Sequence, residues 1–275
     1  MRIGYFPYNP GGNPYQMLFS SALEAAGLDV KRIPPRKFFP LQYALSQSTD
    51  LLQLDWPHDW YRGRNHVTQL LKKYMYLRGI EALRHAPCVW TAHNLQAHDT
   101  TDAAYEQAMM QALVSVCDGI IVMSSLAEDQ LRDLYRVNPE TRVAVIPHGH
   151  YIDAYPNTVT RQQARESLGL EYASRVVLSL GRLMPYKGLG ELIESFCATA
   201  GSGDVLLLAG NSTDDAYLES LRRLAKAKCP ATAEIQFHPG FVADNRLQHY
   251  FNAADVVALP FNAVLNSGSL LLAMS

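Results

Sequence analysis

The chain has 275 residues, 48% apolar and 18% charged, with a net charge of −2. That balance excludes a disordered chain, which cannot bury enough apolar surface, and a general nucleic-acid binder, which needs a basic face for the phosphate backbone. The four cysteines, Cys88, Cys117, Cys197 and Cys229, form no CxxC or CxxH pair; this argues against a zinc or thiol-redox motif and fits a reducing cytosol.

Strand and helix patterns alternate along the chain. Residues 2–6 read as a strand, followed by a glycine turn at 11–14 and a helix over 16–26. Strands follow at 28–33 and 51–54, then a helix over 67–83. Strands at 88–92, 119–123 and 142–146 are separated by helices over 103–116 and 127–135. Residues 151–159 hold a proline and little periodicity and read as a linker between a domain over 1–152 and another over 160–275. The second domain repeats the alternation, with strands at 176–180, 205–209, 234–237 and 256–259 and helices over 189–199, 216–227 and 245–253. Apolar strands alternating with helices predict parallel sheets covered on both faces, hence an α/β chain of two Rossmann-like domains. The apolar stretch 269–274 runs to the end without a capping signal, so the second domain is expected to be incomplete.

No apolar run reaches the ~18 residues of a membrane span, and the start MRIGYFPY carries no basic leader. The expectation is a cytoplasmic protein, with peripheral contact at the inner leaflet left open.

Ligands in open parallel sheets bind beyond the carboxyl ends of strands. Polar residues and glycines collect at those ends in both halves, and two such ends facing each other would form a cleft. The strongest signal is Gly181-Arg182-Leu-Met-Pro-Tyr-Lys187-Gly188, between a buried strand and a helix. Two cations before a helix N-terminus oppose the macrodipole unless an anion sits among them, and together with helix-end amides they suit a diphosphate. The spacing is not a P-loop. Gly11-Gly12 would let backbone amides approach the same phosphates, a tight turn being the plainer reading. His93 ends an apolar strand and could position a sugar or act as a base. His148 and His150 point to opposite sides of an extended segment, so no shared metal is expected. Residues 56–64, WPHDWYRGR, are aromatic and basic. Trp56, Trp60 or Tyr61 would stack on an acceptor sugar, and Arg62 and Arg64 with Lys72 and Lys73 would face an anionic lipid-linked diphosphate or membrane surface; a loop packed by its own aromatics is the alternative.

The string G-R-L-x-x-Y-K-G resembles the phosphate-binding motif of GT-B glycosyltransferases of family 4 type. Ile146-Pro147-His148-Gly149, the FHPGFV stretch at 237–242, and Ala254-Asp255-Val256-Val257 before Leu259-Pro260 follow in the expected order. GGNPYQ, WTAHNL and IPHGHY are similar to a bacterial β-1,4-mannosyltransferase-like subgroup. The resemblance implies that Arg182 and Lys187 neutralise the donor diphosphate, with Gly12, Ser267 and Gly268 beside it. It also implies that Phe241 and Val242 border the base and that His93 faces the transferred sugar. Two glutamates usual in the last motif are replaced by Val264 and Leu272, so a retaining course is not implied. The expected activity is metal-independent transfer of a hexose, such as mannose, from a nucleoside diphosphate sugar to a glycan or lipid-linked saccharide in polysaccharide biosynthesis. GDP-mannose is a candidate donor, and no cofactor or nucleic-acid partner is expected. A nucleotide-sugar epimerase and a non-catalytic nucleotide-sugar-binding subunit are the alternatives.

Overall fold

The computed structural model describes residues 1–9, 11, 13–96, 102–262 and 265–275. The chain divides into two compact units, Met1–Gly149 and His150–Ser275. In the first, strands β1 (Arg2–Phe6), β2 (Asp29–Arg32), β3 (Leu51–Leu54), β4 (Cys88–Thr91), β5 (Gly119–Val122) and β6 (Arg142–Val145) pair in parallel in the order β2-β1-β3-β4-β5-β6. Parallel neighbours need crossovers. These run through α1 (Tyr15–Ala25), α2 (Pro40–Leu45), α3 (His58–Tyr61), α4 (His66–Leu83), α5 (Ala103–Val114) and α6 (Ser125–Leu134). Tyr5, Phe6, Leu54, Trp90 and Val122 are fully buried along the strands.

The second unit holds β7 (Arg175–Leu180), β8 (Asp204–Gly210), β9 (Glu234–Pro239) and β10 (Val256–Val257), parallel in the order β10-β7-β8-β9. Its helices are α7 (Arg161–Leu168), α8 (Leu189–Thr199), α9 (Asp215–Lys228), α10 (Asp244–Ala253) and α11 (Gly268–Met274). Every residue of β8 is buried. Leu206 and Leu208 face a core with Ile193, Phe196, Leu218 and Leu221 of α8 and α9. Val205 and Leu207 face the opposite core, with Ala164 of α7 and Ala253 of α10. A strand alternates its side chains between faces, so a strand covered on both sides must be apolar throughout. The fold is the expected α/β pair of Rossmann-like sheets.

Three helices escape the sequence reading. α2 and α3 are too short for a periodic apolar signal. α7 is polar except for Ala164 and Leu168, and its usable signals were the capping box of Thr160 with Gln163 and the left-handed Gly169 at its end. Arg161 and Arg165 of α7 both pair with Asp255. Asp255 also accepts from the Val176 amide at 2.7 Å. This aspartate of the Ala254–Val257 motif therefore ties a helix to two strands and is structural. The segment read as a linker is fastened to the second unit. The amides of Thr158 and Val159 donate to Gln248 at 2.8 and 3.0 Å, and Asn252 donates to the Val159 carbonyl at 2.7 Å.

Strand order reverses between β1 and β3 in the first sheet and between β7 and β10 in the second. At or just past the strand ends of the second sheet, Gly181, Gly210 and Gly240 hold φ of 143°, 136° and 133°. A Cβ at Gly210 would stand 1.8 Å from the Gly181 carbonyl oxygen, so only glycine lets these two strand ends lie side by side. We predict that Gly210→Ala destabilises the protein by about 3 kcal/mol or more, because strain and backbone clash add. Gly169→Ala, at φ 66° with nothing within 4 Å, should cost about 1–2 kcal/mol. Urea unfolding of both variants checks the difference.

Candidate functional site

In the second unit the loop after β7 carries the predicted cation pair. Pro185–Lys187 form a single 3-10 turn, and Gly188 opens α8 in the left-handed region at φ 65°. A Cβ at Gly188 would meet the Pro260 carbonyl oxygen at 2.0 Å, so the loop is pressed against the segment after β10. That contact places Lys187 at the switch point of the sheet. Its Nζ lies 4.0 Å above the Phe261 ring and 5.2 Å from the Tyr186 ring centroid. Loss of water around the ammonium, reinforced by the Arg182 charge, pushes the Lys187 pKa down to about 8. Arg182 itself is exposed. A half-desolvated ammonium beside a guanidinium is poorly compensated by the rings alone and is ready for an anion.

The neighbouring predicted residues fall close by or on the same sheet end. A side chain at Gly181 would touch Lys187 Nζ and Ser269 Oγ, each at 3.7 Å. The missing side chain thus leaves room between the cation and the first turn of α11, and Ser269 joins the site although the sequence reading passed over it. Ser267 caps α11 by accepting from the Leu270 amide at 3.0 Å, and Gly268 is the first residue of that helix. Leu272 lies on α11. Gly12 and Val264 lie outside the described residues. Phe241 and Val242 border a shallow pocket of about 240 Å³ with His238, Arg246 and Tyr250. Phe241 is 75% exposed. The Gly240 amide donates to the Gly210 carbonyl at 3.0 Å, which joins this pocket to the glycine edge.

In the first unit, Asp55 follows β3 and is fully buried. Its Oδ2 accepts from the Tyr5 hydroxyl at 2.7 Å and from Gln16 Nε2 at 3.2 Å, while Oδ1 lies 3.4 Å from His93 Nε2. Burial, reinforced by the Asp55 charge, pushes the Tyr5 pKa far up, so Tyr5 is a permanent donor. His93, expected at the end of β4, is there. Trp56 stacks on its ring at 4.4 Å and 19°, and Tyr15 meets it edge-on at 4.6 Å. Trp56 takes φ 40° to do so, a strained choice for a bulky residue that costs about 1–2 kcal/mol. His148 packs against the other side of Tyr15 at 4.9 Å. Burial lowers the pKa of His148, with the nearby His93 adding to the effect against the Gly149 carbonyl. The result is a cluster of aromatic and imidazole rings with one imidazole, His93, beside a buried carboxylate. Asp55 was not singled out from sequence; a carboxylate closing an apolar strand was the available signal.

The expected acceptor stretch is divided by burial. Tyr61 is fully buried and donates to Glu106 at 2.8 Å, so it cannot stack on a ligand. Trp60 is 6% exposed and stacks on Phe6 at 5.4 Å. It forms part of a cavity wall and is no open platform. Arg62 and Arg64 do line that cavity, of about 890 Å³, together with Arg36, Lys37 and Lys72 and one carboxylate, Asp59. Lys73 is turned to the Tyr105 ring. Arg36 and Lys37 arrive from the loop before α2, which the sequence could not place. Among the described residues, no group of three or more His, Cys, Asp or Glu is placed to hold a metal ion.

Residues 27–153 match the profile of Glycosyltransferase Family 4. The fold is that of Anabaena HepE solved in complex with UDP and glucose, at 16% identity and TM-score 0.68 over 98% of this chain and 77% of that one. It is also that of sucrose-phosphate synthase from Thermosynechococcus elongatus, at 16% identity and TM-score 0.71 over 100% and 79%. The chain has the GT-B fold and is similar to group 1 glycosyltransferases. Among characterised relatives it is similar to the GDP-mannose:glycolipid 4-beta-D-mannosyltransferase of Xanthomonas campestris pv. campestris, 28% identical over 97% of this chain and 68% of that protein. It is also similar to the D-inositol 3-phosphate glycosyltransferase of Rhodococcus erythropolis, 30% identical over 63% and 42%.

The cation pair generates two predictions. Arg182→Ala and Lys187→Ala should each weaken nucleoside diphosphate binding by about 1–3 kcal/mol, the scale of charge-assisted hydrogen bonds, as calorimetry would show. The second concerns pH. A bound diphosphate raises the depressed Lys187 pKa, so binding takes up a proton between about pH 8 and the higher value in the complex. Affinity should be level from pH 7 to 8 and then fall toward about tenfold per unit as pH rises. Lys187→Ala should abolish that slope.

Proposed function

We propose that the protein transfers a hexose, with mannose from GDP-mannose the leading case, to a lipid-linked saccharide at the cytoplasmic side of a membrane. The observation that carries this reading is the desolvated Lys187 beside Arg182, next to a sheet edge that ends in glycines. Donor binding belongs to the second unit, with the base against Phe241 and Val242 and the diphosphate near Arg182, Lys187, Ser267 and Gly268. Gly12 is kept in the proposal as an amide donor to the phosphates. Acceptor binding belongs to the first unit, in the cavity whose lining cations outnumber its carboxylate. The mannosyl label and the glycolipid acceptor draw on what the Xanthomonas relative is named for.

His93 acts as general base. Asp55 stands 3.4 Å from its Nε2 and favours the charged ring, and the other ring nitrogen, Nδ1, takes the proton of the acceptor hydroxyl. As that oxygen bonds to the anomeric carbon, the bond from carbon to diphosphate oxygen breaks. The electron pair leaves with the nucleoside diphosphate, whose charge Arg182 and Lys187 stabilise. A single displacement with a base inverts the anomeric centre, in keeping with Leu272 standing where a retaining relative has a carboxylate. Two protein cations take the part a divalent ion plays in other transferases, so the reaction is metal-independent.

His93→Ala should lower kcat by about 10²–10⁴-fold, the usual range for loss of a general base. Nucleoside diphosphate affinity should stay unchanged. Turnover should persist in EDTA, and NMR of the product should show an inverted anomeric proton. A His93→Ala enzyme with normal kcat, or one dependent on added Mg²⁺, defeats the mechanism.

A further inference from the structure

α4 has two apolar faces. Met75, Tyr76, Gly79, Ile80 and Leu83 are buried against the body of the first unit. A side chain at Gly79 would meet Leu41 at 2.7 Å, so α2 lies close against this inner face. The outer face is apolar as well. Val67, Leu70, Leu71, Tyr74 and Leu77 follow the spacing i, i+3, i+4, i+7, i+10, which sets them in one stripe of the helix surface. They are between 38% and 74% exposed. Beside them, Phe38 and Phe39 are exposed on the loop into α2, with Phe39 held in the left-handed region at φ 47°. A soluble surface does not gather seven large apolar side chains without a use.

The surroundings say what covers this stripe. Leu71 and Phe38 belong to the exposed surface and also line the 890 Å³ cavity. The same cavity carries Arg36, Lys37, Arg62, Arg64 and Lys72 against one carboxylate among the described residues, Asp59. Apolar side chains ringed by cations match the two layers of an anionic leaflet, acyl chains below and acidic headgroups above. A protein partner or a second copy would meet the same cluster of charge with no visible complement. No helix among the described residues is long and apolar enough to cross a membrane, and this face would lie on the bilayer.

We propose that the outer stripe of α4 with Phe38 and Phe39 is a docking surface for an anionic lipid bilayer, and that it brings the cavity mouth to the headgroup layer. The proposal stands on the first unit alone and does not require the transfer reaction to be as read above.

The test is flotation of the intact protein with vesicles of phosphatidylcholine, pure or with about one third phosphatidylglycerol. The protein should float with the anionic vesicles, and much less with the neutral ones. Leu70→Glu with Tyr74→Glu, outside the cavity lining, should weaken binding at least about tenfold; Arg36→Glu with Lys37→Glu should do the same, since each surface cation adds about fivefold. Nucleoside diphosphate affinity, read in parallel by calorimetry, should be unchanged in both variants, which shows that they fold. Equal flotation on both vesicle types, or Leu70→Glu with Tyr74→Glu binding like the parent, overturns the proposal. So does a dimer that this variant dissociates in sedimentation velocity without any vesicle binding. Loss of nucleotide binding in the parent protein would instead strike the donor-site reading and leave this one standing.

Discussion

The Gly181 carbonyl stands where a side chain at Gly210 would have to be. That exclusion lets β7 and β8 run side by side to their carboxyl ends, and Gly240 extends the same conformation past β9. Three strands thus end at one level, with backbone bare of side chains. A charged ligand needs such a floor, because amides and cations can then approach it without a Cβ in the way. The cation follows from the same geometry: Gly188, pressed on the Pro260 carbonyl, closes the loop so tightly that Lys187 is held over Phe261 and away from water.

The first unit works by a different constraint. A buried carboxylate is costly unless its oxygens are occupied. Asp55 meets part of the cost at Oδ2, with Tyr5 of β1 and Gln16 of α1, while Oδ1 makes no hydrogen bond among the described residues and lies 3.4 Å from His93 at the end of β4. Three elements converge on one side chain at the strand-order reversal, and the imidazole they orient is clamped by Trp56 and Tyr15. If His93 is the base proposed above, rigidity there serves proton transfer, which depends on a fixed donor–acceptor geometry.

α4 joins these themes to the surface. Its inner face is required by the core, since Gly79 admits α2 and Tyr76 donates to the Met109 carbonyl at 2.9 Å. Its outer face satisfies no demand of the fold, and the cationic cavity beside it gives that face a direction. A glycosyltransferase whose acceptor is anchored in lipid would gain from such a face, because a bound enzyme searches in two dimensions.

The alternation of apolar strands and helices, the two-sheet architecture and the Gly181–Gly188 string were legible in the sequence, because periodicity and motif spacing are local properties. His93 and Arg182 could be singled out because each follows closely on a strand end, and Lys187 because it completes the same string before a helix. What stayed hidden was whatever depends on neighbours distant in the chain. Trp60 and Tyr61 looked like ligand platforms until burial against Phe6 and Glu106 showed where they pack. Asp255 read as a motif residue, and only the fold shows it pairing with α7, ninety positions upstream. Asp55 acquired its partner and Arg36 its cavity only when the sheet order set strands side by side. The sequence by itself determined which residues prefer strand, helix and turn. Tertiary packing decided which of the polar and aromatic ones are kept from water, because burial and pairing are properties of the assembled layers and not of any single segment.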